Sequence, residues 1–350
     1  MRDRLWRIGR RPSSLRTVDS IAGLLDGPRA REAFLLRSLL DPPFSMRIQD
    51  EAPLTLVAMV RGSAWVLPDV GERLSLHTGD VAILRGPDPY VIADEPDTPV
   101  QVVILPGQVC TSPDGAELTG MQRMGVRTWG NTGDTAIDTA SATASATASD
   151  TDSTAGATVM LTGTYQLRSE TSQRLLDALP PVLVLSADSW SSPLIPYLAE
   201  EITKDEPGQE AVLDRLLDLL LIAVLRAWFA RPEAAAPGWY RAHGDPVVGP
   251  ALRLLHHNPA HPWTVATLAR ETGVSRAALA RRFTELVGEP PMAFLTGWRL
   301  TVAADLLREP GATVGSVARK VGYASPFALS TAFKRVRGIS PQQHRATASA

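Results

Sequence analysis

The chain has 350 residues, 44% hydrophobic and 21% charged, with a formal net charge of −2; this is the balance of a soluble globular protein with room for two ordinary domains. A lone cysteine, Cys110, excludes an internal disulfide and a two-thiol redox switch. No apolar run follows the basic Met1–Arg11, so no signal peptide is expected, and Leu216–Ala230 is too short and, with Asp218 and Arg226, too charged to span a bilayer; the expected location is the cytoplasm, without a membrane partner.

In chain order, the runs Leu54–Val60, Ala64–Leu67, Leu74–Leu76, Val81–Leu84 and Val100–Leu105 are rich in β-branched or other apolar residues and are cut by Arg61-Gly62, Asp69-Val70-Gly71 and Thr78-Gly79-Asp80. They predict short strands of an antiparallel sandwich or barrel in residues 1–130. Residues 131–158 are almost wholly Thr, Ala, Ser, Asp and Gly, which cannot bury enough surface to offset the ordering entropy, so a disordered low-complexity insertion is expected there. Residues 159–244 predict the remainder of the same domain: a strand at Val159–Leu167, then helices at Ser172–Leu179, Ser192–Thr203 and Gln209–Phe229. The last is apolar nearly all round and belongs in a core or against a second copy of the chain. Ala234–Gly238 reads as a hinge, and from Asp245 to Ala350 the pattern is wholly helical. That final segment carries 13 Lys and Arg against 6 Asp and Glu, a surplus of +7 that leaves −9 for the rest; a polyanion would be held there and repelled elsewhere.

The same segment contains a repeat. Thr264, Val265, Ala269, Arg270 and Gly273 recur 49 positions later, and Ser275, Leu279, Phe283, Gly288 and Pro291 recur 50 positions later. Thr264 and Thr313 can cap a short helix, Gly273 and Gly322 can close it in the left-handed conformation, and Ser275 and Ser325 can cap a second helix. Leu279 with Phe283, and Leu329 with Phe333, fall four apart on the buried face of that helix. Two helix-turn-helix units are therefore predicted, at 264–288 and 313–338. Between them Pro291–Glu309 predicts a helix of about 28 Å, with Phe294, Trp298, Val302 and Leu306 along one face. Such a helix would hold two reading heads about one turn of DNA apart.

With Gly322-Tyr323-Ala324-Ser325, Phe333-Lys334-Arg335, Gly338, Ser340-Pro341 and Arg345 in place, the segment from Asp245 to Arg345 closely resembles the DNA-binding domain of AraC-type (AraC/XylS) transcription regulators. Upstream, Leu74–Leu84 with Gly79-Asp80 in the turn, Gly163, Leu176, Leu179-Pro180 and Glu200-Glu201 resemble the cupin-like sensor domain of one branch of that family. The resemblance implies an α+β chain: an N-terminal cupin-like antiparallel β-barrel with appended helices, then an all-α domain of two helix-turn-helix units joined by a long helix. It implies that Ala277, Ala280 and Arg281 in the first unit, and Pro326, Phe327 and Thr331 in the second, face bases in the major groove. Arg281 can hydrogen-bond a guanine edge; Ala277, Ala280 and Phe327 can touch only thymine methyls or sugars. Thr331 stands where many relatives carry Arg, which favours a phosphate-clamp role for the second unit through Lys334, Arg335 and Arg337. Arg276, Arg282 and Arg299 can reach phosphates or sit as solvated surface charges. The implied partners are double-stranded DNA, a small-molecule effector, RNA polymerase and a second copy of the chain.

Catalytic and cofactor motifs are missing. The candidate barrel has one histidine, His77, with Tyr90 near where many cupins place another, so no metal ligand set is expected. His256, His257 and His261 are separated by Asn258-Pro259 and share no helical face. There is no Gly-x-Ser-x-Gly, no phosphate-cradling glycine loop and no Cys-x-x-Cys. The expectation is a non-enzymatic, cofactor-free regulator, activating or repressing. The alternatives are a ligand-binding or dimerisation module with weak DNA affinity, and a cupin enzyme.

Overall fold

A computed structural model of the chain describes residues 34–116, 118, 122–125, 127–131, 157–165, 169–234 and 236–348. Most of the low-complexity stretch, 132–156, lies outside these residues. The described strands are β1 (Phe34–Leu40), β2 (Ser45–Ile48), β3 (Leu54–Arg61), β4 (Ser63–Pro68), β5 (Leu74–His77), β6 (Val81–Arg85), β7 (Tyr90–Ala93), β8 (Val102–Leu105), β9 (Val109–Thr111), β10 (Gln122–Gly125), β11 (Thr128–Gly130), β12 (Thr158–Tyr165) and β13 (Val182–Leu185). They form a seven-stranded sheet, β10-β11-β1-β12-β3-β6-β13, and a six-stranded sheet, β5-β4-β7-β2-β8-β9. Most pairings are antiparallel, as expected, but β1 with β11 and β2 with β8 run parallel, so both sheets are mixed.

Burial of the larger sheet on both faces explains why β3 is apolar from Leu56 to Val60, with the buried Thr55 before it. Val57 and Met59 point between the sheets, among Phe44, Leu76, Ile92 and Met160. Leu54, Leu56 and Ala58 point the other way, into a core shared with the helices α1 (Glu170–Leu176), α2 (Leu194–Glu201) and α3 (Gln209–Phe229). Gly163 of β12 permits that packing: a Cβ there would lie 2.6 Å from Leu217 Cδ1 of α3, far inside van der Waals contact. The Tyr165 hydroxyl donates to the Leu217 carbonyl at 3.0 Å. Asp80, buried in the turn after β5, accepts from the backbone N–H of His77 and of Ala187, each at 2.8 Å, and so ties the hairpin to the segment after β13.

The helices match the predicted ones with shifted ends. α1 begins earlier than Ser172 because the Ser169 side chain caps it by accepting from Ser172 N–H, and α3 spans the predicted residues. The short α4 (Gly238–Arg241) leads into α5 (Val248–His257), α6 (Val265–Glu271), α7 (Arg276–Val287), α8 (Pro291–Arg308), α9 (Val314–Lys320), α10 (Pro326–Arg337) and α11 (Pro341–Ala348). Two small cores lie here, one around Leu252, Leu268, Leu279, Phe283 and Phe294, the other around Leu300, Leu307, Val317, Leu329 and Phe333. The single apolar face expected on the connecting helix is corrected. Phe294, Leu295 and Trp298 are buried in its first half and Leu300, Ala303, Ala304 and Leu307 in its second, whereas Val302 and Leu306 are only partly buried. α8 must serve two cores on different sides, so its buried face rotates along its length. No helix among the described residues is long and apolar enough to cross a membrane.

Candidate nucleic-acid interface

Each unit is built by the same local chemistry. Thr264 caps α6 through a reciprocal box with Thr267, and Thr313 caps α9 through one with Ser316; each box satisfies two backbone donors that the helix start leaves open. Gly273 (φ +71°) and Gly322 (φ +83°) turn the chain out. The next N–H reaches back five residues, Val274 to the Ala269 carbonyl at 3.0 Å and Tyr323 to the Ala318 carbonyl at 2.8 Å, which is the Schellman closure of a helix end. Ser275 and Ser325 then cap α7 and α10 by accepting from Ala278 and Ala328 N–H. Leu279 and Phe283, like Leu329 and Phe333, are fully buried. Burying those residues leaves the opposite face of each second helix in solvent.

The predicted contact residues sort accordingly. Arg276, Ala277 and Arg281 are exposed on α7, with Ala280 half-buried; Pro326, Phe327, Thr331, Lys334 and Arg335 are exposed on α10. Phe327 is 81% exposed, a large apolar side chain held in water at the start of a helix. Three of the predicted arginines are engaged within the protein. Arg337, expected to clamp phosphate, instead donates from Nη1 to Glu170 Oε2 at 2.7 Å. Arg282 donates from Nε and Nη2 to Asp245 Oδ2 at 2.9 and 2.6 Å. That hydrogen bond, outweighing the effect of burial and helped by the Val248 and Val247 N–H groups, holds the Asp245 carboxyl down at about 2. Arg299 donates to the Pro259 carbonyl at 2.7 Å and the His261 carbonyl at 2.8 Å, with its guanidinium 5.9 Å from the centre of the Tyr323 ring. It stitches the loop before α6 to the turn of the second unit. His256 lies half-buried between Phe294 and Trp298, ring centres 5.4 and 4.6 Å away, and its enclosed Nδ1 has no hydrogen-bond partner. Burial, reinforced by the charges of Arg174, His257 and His243, pushes its imidazole down to about 3.

Sequence reasoning missed Ser330, which takes the place of Ala280 in the second unit and turns its hydroxyl inward to the Pro326 carbonyl at 2.9 Å. It also missed that the first core draws on Ala242 and Trp239, upstream of Asp245. In the sandwich, Tyr90 is buried between the sheets and the His77 side chain is 69% exposed, 3.7 Å from Asp80. Among the described residues no group of three or more His, Cys, Asp or Glu could hold a metal ion. A cleft of 190 Å³ opens at the sandwich edge beside Pro68, Val70, Leu84, Arg85, Asp88 and Tyr90.

A double-layered β-sandwich with appended helices, followed by two capped helix-turn-helix units on a shared linking helix, defines a two-part chain: a cupin fold joined to a nucleic-acid-binding fold. The chain belongs to the cupin family, whose profile, described as Cupin, matches residues 19–230, and a profile described as Helix-turn-helix domain matches residues 268–347. It is 39% identical over 190 residues to a putative AraC-like transcription regulator of Streptomyces lividans, covering 53% of this chain and 62% of that protein. It is 33% identical over 177 residues to the HTH-type transcriptional regulator AlkR of Acinetobacter baylyi, covering 49% and 58%. The chain thus spans less than two thirds of these curated relatives. Of solved structures, the DNA-binding domain of AdpA, the global transcriptional factor, in complex with a target DNA is 35% identical, with 30% of this chain and 93% of that one covered and a TM-score of 0.28. The expected AraC-type pairing of cupin and helix-turn-helix parts agrees with both profiles and with the relatives' names.

Proposed function

We propose that the chain is a transcription regulator that binds double-stranded promoter DNA in a sequence-specific way, with α7 and α10 in successive major-groove segments. The observation that carries this reading is the duplicated presentation: two second helices, capped alike, each offering an exposed outer face with two or more basic residues beyond a buried Leu–Phe pair. Arg281 reads a guanine edge, Ala277, Ala280 and Phe327 contact thymine methyls or sugars, and Thr331 adds little discrimination. Arg276, Lys334 and Arg335 hold phosphates, whereas Arg282 and Arg299 act mainly inside the protein. The cupin part is a sensor for a small-molecule effector, with the edge cleft as its entrance. It is not a catalyst, and the protein works in the cytoplasm with RNA polymerase, as a homodimer through the outer face of α3.

Titrating the full chain against its own upstream DNA and a scrambled duplex across a salt series tests this. Preferential binding that survives physiological salt, with a steep log–log salt slope, is expected. Equal, weak affinity for both duplexes removes sequence readout, and no binding at any salt defeats the DNA reading.

A further inference from the structure

Beyond the two folds themselves lies the contact between them. α1 follows β12, a middle strand of the larger sheet, in the sequence and buries Leu175 and Leu176 in the core under α3. Its other side packs along α8, the helix that links the two reading units. At its first residue the Glu170 backbone N–H donates to Asp305 Oδ1 at 2.6 Å, and the Glu170 carboxylate accepts from Arg308 Nη2 at 3.2 Å and from Arg337 Nη1 at 2.7 Å. Arg337 is the last residue of α10. One turn further on, Arg174 lies 5.0 Å over the Phe294 ring and 3.9 Å from Glu289, the residue after Gly288 at the end of α7. One short helix of the cupin part is thus tied to the trailing ends of both reading helices. Burial raises the Glu170 carboxyl, but the hydrogen bond and charge of Arg337, with Arg308 and His344, outweigh it and leave the group below its ordinary value.

We propose that α1 is the brace through which the cupin part sets the separation of the two reading helices, with Glu170 and Arg174 as its positioning residues. The effect on DNA rests on the reading given above; the brace itself does not. Two heads bind together only when their separation matches that of their sites, so a fixed separation turns the second contact into an intramolecular one and a wrong one forfeits it. α1 is held to the cupin part by Leu175 and Leu176 in the shared core and by Arg85, whose Nη1 donates to the Leu176 carbonyl at 3.2 Å, so a shift of that core moves it. A change in the cupin part therefore reaches both units through the same two side chains, which is the differential contact that coupling requires.

The test uses the full chain with Cys110→Ser and spin labels at Glu285→Cys and Val336→Cys, on the exposed sides of α7 and α10, without DNA. A narrow distance distribution is expected in this background. Glu170→Arg, which faces two arginines, should broaden or shift it, and adding Arg337→Glu to Glu170→Arg should bring it back most of the way, which misfolding would not do. A distribution unchanged by Glu170→Arg, or not recovered in the double reversal, overturns the brace. A duplex selected from random sequence by the full chain, and the same duplex with one base pair inserted between the two contacted segments, give the functional arm. Insertion should weaken the parent by about tenfold and the Glu170→Arg chain clearly less; equal losses overturn the coupling. Failure to select any duplex defeats the DNA reading, and the label distances still decide the brace.

Discussion

At the scale of single residues, the two units share a scaffold and differ at the positions that would read sequence. Arg281 and Thr331 occupy equivalent exposed sites, and only the first can donate two hydrogen bonds to one base. Arg281→Ala is expected to weaken specific binding by about 1–3 kcal/mol while leaving binding to scrambled DNA nearly unchanged, a contrast that fluorescence anisotropy on the two duplexes measures. Two buried or paired groups make pH predictions of the same sign by different routes. Asp245, held at about 2 by Arg282, binds its proton less readily folded than unfolded, so its contribution is complete above about pH 4 and is lost as pH falls towards 2. Asp245→Asn keeps an acceptor for the α5 N–H groups and removes only the charge. It should cost about 1 kcal/mol at pH 7, given solvent screening of the pair, and the gap to the parent should close near pH 2. His256, neutral down to about 3, forces the folded chain to forgo a proton that the unfolded imidazole takes below 6.5. Stability should therefore fall by about 1.4 kcal/mol per pH unit from this group as pH drops below 6.5. His256→Phe keeps the ring between Phe294 and Trp298 and removes that dependence; equal melting-temperature losses in parent and variant between pH 7 and 5 would refute it.

At the scale of elements, what was legible was what local chemistry fixes. The units could be read because Thr264, Ser275, Thr313 and Ser325 cap helices with their own side chains, and the glycines that close α6 and α9 need positive φ. The span of α3 was legible because apolar residues recur along its whole length, from Val212 to Phe229, with only scattered charges among them. β1, β2, β7 and β13 were not, since strands of four to seven residues exist by pairing with distant partners. β1, for example, carries Arg37 and Ser38 in mid-strand and is fixed by β11 and β12. The rotation of the buried face of α8 was hidden for a like reason: it answers to two cores that the sequence does not place. The equivalent glycines show how tertiary context splits a repeat. A Cβ on Gly273 meets nothing within 4 Å, whereas on Gly322 it would stand 2.7 Å from the backbone of Ala260. Both substitutions strain the left-handed turn, by about 1 kcal/mol, but only Gly322→Ala must also push away the loop that Arg299 holds. Gly322→Ala should therefore lower the melting temperature clearly more than Gly273→Ala; equal losses would mean that the loop is free to move.

At the scale of the whole molecule, the boundary between the parts is not where the charge pattern changes. The basic, all-helical segment begins at Asp245, yet the core of the first unit encloses Ala242, fully buried, and packs Trp239 against it. Trp239 and Tyr240 also reach the core under α3, and Tyr240 packs against Phe229 with ring centres 4.7 Å apart and the rings tilted by 41°. α4 therefore belongs to both parts at once, a hinge with a packed side in each, and α1 makes the second crossing. A fragment spanning 237–350 keeps the Trp239 and Ala242 contacts, and one spanning 245–350 exposes the cavity they fill. Removing a buried aromatic commonly costs about 3–5 kcal/mol, and the half-buried Trp239 with Ala242 should account for a substantial part of that. The longer fragment should melt cooperatively and bind the selected duplex, while the shorter one should melt well below it. Both fragments lack α1, so if the linking helix alone spaced the units, the longer fragment would discriminate against a one-base-pair insertion as sharply as the full chain does. A full-length affinity for the selected duplex, paired with weaker discrimination in the 237–350 fragment, is what the braced arrangement requires.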